Sequence, residues 1–411
     1  MGDRPRTALF VTYGGGHVNM MIPVLQKLRE RADLRCVTLG LTTAGAALKN
    51  QGLPSRGFAS LIRAEDTHSL RWGEKLAAAL PAGGAVPREE TVAYLGLSYA
   101  DLVERAGEAE AARAYEEKGR QAFLPLGPLR RLLDEIRPDA VVATISPRAE
   151  EAALRVAGER GIPSLCLVDL FARIALKRAS APGYGRRVAV ISRGVKRWLV
   201  ENGRPENEIA VTGNPAFDHL ASSRWGEAGR ALRAAREWGE QRVILWASQV
   251  EPAVDPFSGN RGDPRVPAEI EEALQGITAR AGWRLVVRPH PNEPPRRPDG
   301  RPNVDFSDPG EPLPALLAAV DAVVIMTSTV GLEARFMGKP VISVDRSVFT
   351  KNTPFAEEGV SQGVANLADL GGALETALSA PPTPLAGFPP VGRATESVVN
   401  ELNQLLGKEV S

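Results

Sequence analysis

A chain of 411 residues is longer than one hydrophobic core ordinarily serves, so two domains of common size are expected. Its 50 Lys and Arg against 49 Asp and Glu give a net charge of +1, which excludes a global field for nucleic acid and leaves at most a local patch for peripheral membrane association. The 2 cysteines, Cys36 and Cys166, stand in apolar runs without metal-ligand spacing, and no apolar stretch reaches about 18 residues, so the reading is a cytoplasmic protein with buried thiols and no spanning segment.

Ala8 to Thr12 reads as the first strand, followed by Tyr13-Gly14-Gly15-Gly16-His17 and an apolar helix from Met20 to Leu28 with Pro23 in its first turns. No Gly-Lys-Ser/Thr follows and Asn19 stands where a third dinucleotide-type Gly belongs, so neither standard phosphate loop is present. Three glycines still let the backbone approach a ligand closely, and equally make a tight turn. Arg35 to Leu39 is a second strand and Ala44 to Gln51 a helix. From about 63 to 125 the chain becomes charged and helical, broken by a Pro/Gly loop at 80–87, and reads as a helical insertion. The acidic run from Glu104 to Glu117 reads as a solvated helix face.

Strand patterns return at Ala140 to Ala143, Ser164 to Asp169, Val188 to Ile191 and Ile209 to Val211, with helices between. Strand, helix, strand repeated in this way predicts a parallel, doubly wound α/β sheet. Val211-Thr212-Gly213-Asn214-Pro215 and Asp218 close this domain, and the hinge is placed after them. The expected layout is an N-terminal domain over 1–218, a C-terminal domain over 219–390, and a helix over 391–411 that packs back on the first domain. In that helix Val398, Val399, Leu402, Leu405 and Leu406 share one face.

The second domain opens on a strand, Arg242 to Ala247, that runs into Ser248-Gln249-Val250-Glu251. Trp283 to Val287 leads to Arg288-Pro289-His290-Pro291. A His between two prolines has a fixed backbone and a ring free to donate to a phosphate, and Arg288 offers a guanidinium fork. The densest segment is Asp321 to Val344: a buried strand, the turn Thr327-Ser328-Thr329, Gly331, a short helix with Leu332 and Phe336 on one face, Gly338 as its stop, and another strand. Thr327, Ser328, Thr329 and Gly331 at a helix start make a phosphate cradle, or alternatively a set of helix caps. Glu333 is placed as a carboxylate acceptor for ribose hydroxyls.

This stretch resembles the nucleotide-binding segment of GT-B-type nucleotide-sugar enzymes, in which a Glu five residues before the Gly of a Gly-x-Pro holds the ribose. Glu333 stands in that relation to Gly338-Lys339-Pro340. The group includes lipid-linked N-acetylglucosaminyltransferases, non-hydrolysing UDP-N-acetylglucosamine 2-epimerases and capsule Kdo transferases, and Ser248-Gln249-Val250-Glu251 is similar to a loop of the last. The resemblance implies a GT-B fold of two Rossmann-like domains facing a cleft.

It further implies a nucleotide-sugar donor, UDP-linked in preference to CMP-linked, held by Ser248, Gln249, Arg288, His290, Thr327, Ser328, Thr329, Gly331 and Glu333. Gly14, Gly15, Gly16 and Asn214 complete the expected binding set, and His17 and Asp169 are the candidate bases. The first expectation for function is sugar transfer to a glycan, lipid-linked or small-molecule acceptor, with no metal and no cofactor, by a monomer or homodimer. The alternatives are a UDP-N-acetylhexosamine 2-epimerase and a nucleotide-sugar-binding protein without turnover. Transfer is preferred because the Arg-Pro-Glu and His-rich loops of the epimerases are replaced here by Gly14-Gly15-Gly16-His17 and Ser248-Gln249-Val250-Glu251, with Asp169 where the epimerases carry a catalytic Glu.

Overall fold

The structure, a computed structural model, describes residues 4–81, 83–255, 258–294, 296, 300–308, 310–379 and 383–407. Ala82 of the expected 80–87 loop, residues 380–382 at the start of the Pro-rich link and residues 408–411 lie outside them. The chain forms two compact units. The first comprises Met1–Leu170, Ile174–Asp218 and Phe388–Ser411, and the second Phe171–Arg173 and His219–Gly387.

The first unit is built on six parallel strands: β1 Arg6–Thr12, β2 Leu34–Gly40, β3 Ala140–Thr144, β4 Ser164–Leu167, β5 Arg187–Val190 and β6 Ile209–Val211. They lie in the order β2-β1-β3-β4-β5-β6. β3 reads Ala-Val-Val-Ala-Thr and is buried along its whole length, as a strand covered on both faces must be. Asp139, just before it, accepts the Thr7 N–H at 2.7 Å and so sets β3 against β1 at their N-terminal ends.

The second unit repeats the plan with β7 Val243–Ala247, β8 Arg284–Arg288, β9 Val304–Phe306, β10 Ala322–Ile325, β11 Val341–Val344 and β12 Gln362–Val364. Their order is β12-β11-β10-β7-β8-β9, again all parallel. Asp321 does for β10 and β7 what Asp139 does for β3 and β1, accepting the Val243 N–H at 2.8 Å.

Chain order reverses once in each sheet, between β1 and β3 and between β7 and β10. At such a reversal the connections leave toward opposite faces, and a crevice opens beyond the strand C-termini. The loops that follow β1 and β3, and those that follow β7 and β10, are therefore the places where each unit can hold a ligand.

The helix after the glycine loop spans Gly16–Leu28, starting four residues before the expected Met20 because Gly15 caps it with a positive φ of 67°. The insertion holds Thr67–Ala78, Arg88–Ala106 and Glu108–Lys118. Two glycines let the first pair of these helices cross closely: a Cβ on Gly73 would stand 2.2 Å from the Val92 carbonyl oxygen, and one on Gly96 2.3 Å from that of Ser69. The last helix, Ala394–Leu405, puts Val398, Val399 and Leu402 into the first unit's core beside Met21 and Leu25. Asp218 caps it, its carboxylate accepting from the Gly392, Ala394 and Thr395 N–H groups.

Candidate functional site

In the second unit the loops beyond β7 and β10 are tied to each other. Gln249 accepts the Thr327 N–H at 2.9 Å through Oε1, and its Nε2 donates to the Thr327 hydroxyl at 3.1 Å. Ser248 donates to Glu293 Oε1 at 3.0 Å, and the other oxygen of Glu293 accepts the His290 N–H at 2.6 Å. The His290 Nδ1 accepts from the Asn292 N–H at 3.1 Å, which assigns the ring proton to Nε2 and leaves that nitrogen as a donor. Arg288, at the end of β8, donates to the Ser307 hydroxyl and to the Glu311 carbonyl at 3.3 and 3.4 Å. Glu251, in the same loop as Gln249, is buried and fixes Ser347 and the Val348 N–H.

The hydroxyl turn divides its labour. The Thr327 amide and hydroxyl serve Gln249, while the Ser328 Oγ accepts from the Val330 N–H at 3.3 Å and closes a local turn ahead of the helix Val330–Phe336. Gly331 donates its N–H to the Ser328 carbonyl and is buried against the sheet, where a Cβ would come within 2.5 Å of the Ile325 Cδ1. It is a packing glycine: it lets the helix sit down on β10. Among the described residues, the amides of Ser328 and Thr329 and the Thr329 hydroxyl make no hydrogen bond.

Glu333 lies one helical turn behind. Burial pushes its carboxyl up from the ordinary 4.5 to about 7, against the opposing pull of the Arg288 guanidinium. Burial in turn lowers Arg288 while Glu311 and Glu333 raise it, so each member of the pair supports the charge of the other. Beside these groups is a cavity of about 390 Å³ bordered by Ser248, Gln249, Glu251, Glu293 and Arg296. On its wall Glu271 is held by Arg296 at 2.7 Å and Arg301 at 3.0 Å.

In the first unit Gly14 is buried and donates to the Thr42 hydroxyl at 3.3 Å, and a Cβ there would lie 2.0 Å from the Thr43 Oγ1. Gly15 and Gly16 are exposed. His17 is half-buried, edge-on to Tyr13 at 6.5 Å, and its Nδ1 is buried without a hydrogen-bond partner. Asp169 follows β4 by two residues, half-buried, with its carbonyl accepting from the Asn214 amide at 2.9 Å. Since Asn214 also accepts the Ala216 N–H at 2.9 Å, its side chain is used within the fold, holding the segments after β4 and β6 together.

The loop after β3 brings residues that the sequence alone does not single out. Arg148 adopts φ 87° and ψ −116°, a conformation that costs a non-glycine residue about 1–3 kcal/mol, and its guanidinium lies 5.2 Å from the centre of the Tyr13 ring. Glu150, in the first turn of the helix Ala149–Glu159, is 1 % exposed, and neither carboxylate oxygen meets a hydrogen-bond partner. Desolvation pushes its pKa up to about 7. In the sequence Glu150-Glu151 looks like the acidic start of any helix, so only burial distinguishes it. Glu293 and Tyr94 are hidden for the same reason: their importance lies in what they touch. Among the described residues no three His, Cys, Asp or Glu side chains stand together as a metal site, and no helix is long and apolar enough to cross a membrane.

No protein-family model matches the chain, and no curated protein matches it. Solved structures do. A UDP-GlcNAc 2-epimerase from Neisseria meningitidis bound to UDP-GlcNAc is 16% identical with a TM-score of 0.55, over 97% of this chain and 100% of its own. A putative UDP-N-acetylglucosamine 2-epimerase from Listeria monocytogenes is 15% identical with a TM-score of 0.59, over 99% and 98%. The glycotransferase of kitacinnamycin is 14% identical with a TM-score of 0.54, over 98% and 96%. The fold is accordingly that of the two-domain, Rossmann-like GT-B enzymes. Most of these neighbours are epimerases, and that overturns the order of preference drawn from sequence. Sugar transfer to an acceptor, the first expectation, gives way to the alternative.

Proposed function

We propose that the protein is a UDP-N-acetylhexosamine 2-epimerase, inverting C2 of a nucleotide-linked N-acetyl sugar without a second substrate. The observation that carries this reading is the likeness, over nearly the full length of both chains, to several UDP-GlcNAc 2-epimerases. Within the chain, the arrangement beyond β7, β8 and β10 supports a nucleotide diphosphate in the second unit. The Ser328 and Thr329 amides, the His290 Nε2 and Arg288 meet phosphate oxygens, and Glu333 accepts from the ribose hydroxyls. Donors fixed in advance, as His290 is by Glu293 and Asn292, offset phosphate charge at little cost in reorganisation.

Inversion at C2 requires that the carbon lose its proton, and because no carbonyl stands next to it the freed electron pair forms a C1–C2 double bond as the nucleotide diphosphate leaves C1; a proton then adds to the opposite face of C2 while the diphosphate returns to C1, so the chemistry needs acid and base groups and no acceptor. His17 and Asp169 are the proposed pair in the first unit. Purified protein given UDP-N-acetylglucosamine alone in deuterated water should form the 2-epimer with deuterium at C2, followed by NMR. Intact substrate with no exchange at C2 over many hours would overturn the reading.

A further inference from the structure

One stretch of the first unit carries a charge that the whole chain does not. Between Arg173 and Arg204 stand nine Lys or Arg and one acid, Glu201, in a chain of net charge +1. Arg173, Arg178, Arg187, Lys196 and Arg204 each meet a carboxylate at 2.6–3.2 Å and are thereby used within the fold. Lys177, Arg186, Arg193 and Arg197 are exposed and have no acidic partner among the described residues.

Two helices bear most of these charges. β4, β5 and β6 follow one another across the sheet in one direction, so right-handed crossovers place the helices Arg173–Ala179 and Arg193–Glu201 on the same face. The buried Arg204 guanidinium, just beyond the second helix, ties it to the first by donating to the Ala179 carbonyl at 3.2 Å. In the second helix Val195 and Leu199 turn inward, both 0 % exposed, which leaves Arg193, Arg197 and Val200 together on the outer side. A groove of about 550 Å³ runs from Arg193, Lys196 and Arg197 to Val211 at the end of β6, the last strand of the sheet. Glu206 neutralises Lys196 and Glu201 stands in the same groove, so the free positive charge rests on Arg193, Arg197 and Lys177.

Among the described residues of the first unit, Ile174 and Val200 are the exposed large apolar side chains, at 40 % and 39 %. Both stand among these cations: Ile174 three residues before Lys177 on one helix, Val200 three after Arg197 on the other. Single exposed aliphatics are ordinary, whereas aliphatics set between unpaired cations are the composition of a surface that meets lipid headgroups. Nucleic acid would draw the same cations but calls for stacking rings, and the side chains offered here are aliphatic.

We propose that this face of the first unit docks on an anionic phospholipid surface, with Lys177, Arg193 and Arg197 against lipid phosphates and Val200 among the headgroups. Each cation at such a surface strengthens partition by about fivefold, so three give about a hundredfold, a reversible attachment and not an anchor. The docking is independent of the reaction proposed above.

The test sediments the full chain with vesicles at about 1 mM lipid and about 0.1 M salt, made either of phosphatidylglycerol mixed with phosphatidylcholine or of phosphatidylcholine alone. Wild type should pellet with the anionic vesicles, stay in solution with the neutral ones, and be released at about 1 M salt, where charges are screened beyond about 3 Å. The double variant Arg193→Glu, Arg197→Glu should lose binding by about 10-fold or more, and Val200→Ser by about 3-fold. Lys49→Glu with Arg280→Glu makes the same change of net charge at exposed cations elsewhere, and should bind as wild type does. Wild type left in solution with both kinds of vesicle, undiminished binding by the Arg193 and Arg197 double variant, or an equal loss in the Lys49 and Arg280 control would each overturn the proposal. So would retention of a single-stranded RNA oligonucleotide through Arg193 and Arg197 by a protein that ignores vesicles, since that assigns the face to nucleic acid. C2 exchange is read in solution without lipid, so failure of the docking and failure of the epimerase reading are told apart.

Discussion

Each sheet has one point where chain order reverses, and the two points use their polar groups in opposite ways. Beyond β7 and β10, Ser248, Gln249, Glu293 and Thr327 answer one another before any ligand arrives. Beyond β1 and β3, the Thr144 hydroxyl, the His17 Nδ1 and both oxygens of Glu150 are buried and unanswered. The first arrangement fixes donors in advance, as recognition of a constant phosphate group requires. The second leaves buried polar atoms without partners, at a cost to the stability of the fold. One backbone plan thus supports both a finished frame and an unfinished one.

The contrast breaks most visibly if the finished frame is opened. Gln249→Leu leaves the Thr327 amide and hydroxyl without their partner, and should lower the unfolding free energy by about 3 kcal/mol in urea titrations. A loss below the error of the titration would mean that the frame is not tied together as described. Glu333→Ala comes next: UDP affinity by calorimetry should weaken by about 1.5–3 kcal/mol while the fold survives, and an unchanged affinity would remove Glu333 from the nucleotide site.

Much of the finished frame was readable in sequence, because its residues sit at strand ends in fixed spacing. Thr327 to Glu333 followed by Gly338 is a local pattern, and local patterns survive without coordinates. What the same residues do was less readable. Gly331 reads as a glycine for close approach to phosphate, but the group that approaches it is the Ile325 side chain. Asn214 reads as a ligand contact and instead joins the segments after β4 and β6. The unfinished site was almost invisible. Glu150 becomes distinctive only when Tyr13 and Tyr94 from two other stretches close over it, and no spacing along one chain records that. Ten of the twelve strands were legible to within a residue or two because buried parallel strands are written as unbroken apolar runs, whereas the three-residue edge strands β9 and β12 carry no such run and were missed.

Two smaller effects sharpen the comparison. Gly331→Ala forces a Cβ toward Ile325 and should cost about 1–2 kcal/mol of stability through overpacking, read by urea titration; no loss would show that the helix over β10 has slack. Glu150→Leu should do the opposite and raise stability by about 1 kcal/mol at pH 8, since it replaces a buried acid with hydrocarbon.

The pH dependence follows with its sign. Glu150 and Glu333 release protons near 4.5 in the unfolded chain but hold them to about 7 when folded. Their stabilising contribution is full below about pH 4.5 and is lost as pH rises through about 7. Wild type should therefore lose stability relative to a Glu150→Leu, Glu333→Gln double variant between pH 5 and 8, measured as the difference in Tm. A difference that stays constant with pH would show that neither carboxyl is buried as drawn.

The grip of Asp218 on the amides of Gly392, Ala394 and Thr395 has a consequence for synthesis. A ribosome makes the chain in one direction, and the first unit's core lacks Val398, Val399 and Leu402 until after residues 219–387 of the second unit have been made. The second unit, His219–Gly387, is complete before that. The domain begun first is therefore the domain finished last, and its nascent form must wait with an apolar groove beside Met21 and Leu25 uncovered while its neighbour matures. A chain cut after Gly387 would carry the whole second unit and a first unit whose groove is left uncovered.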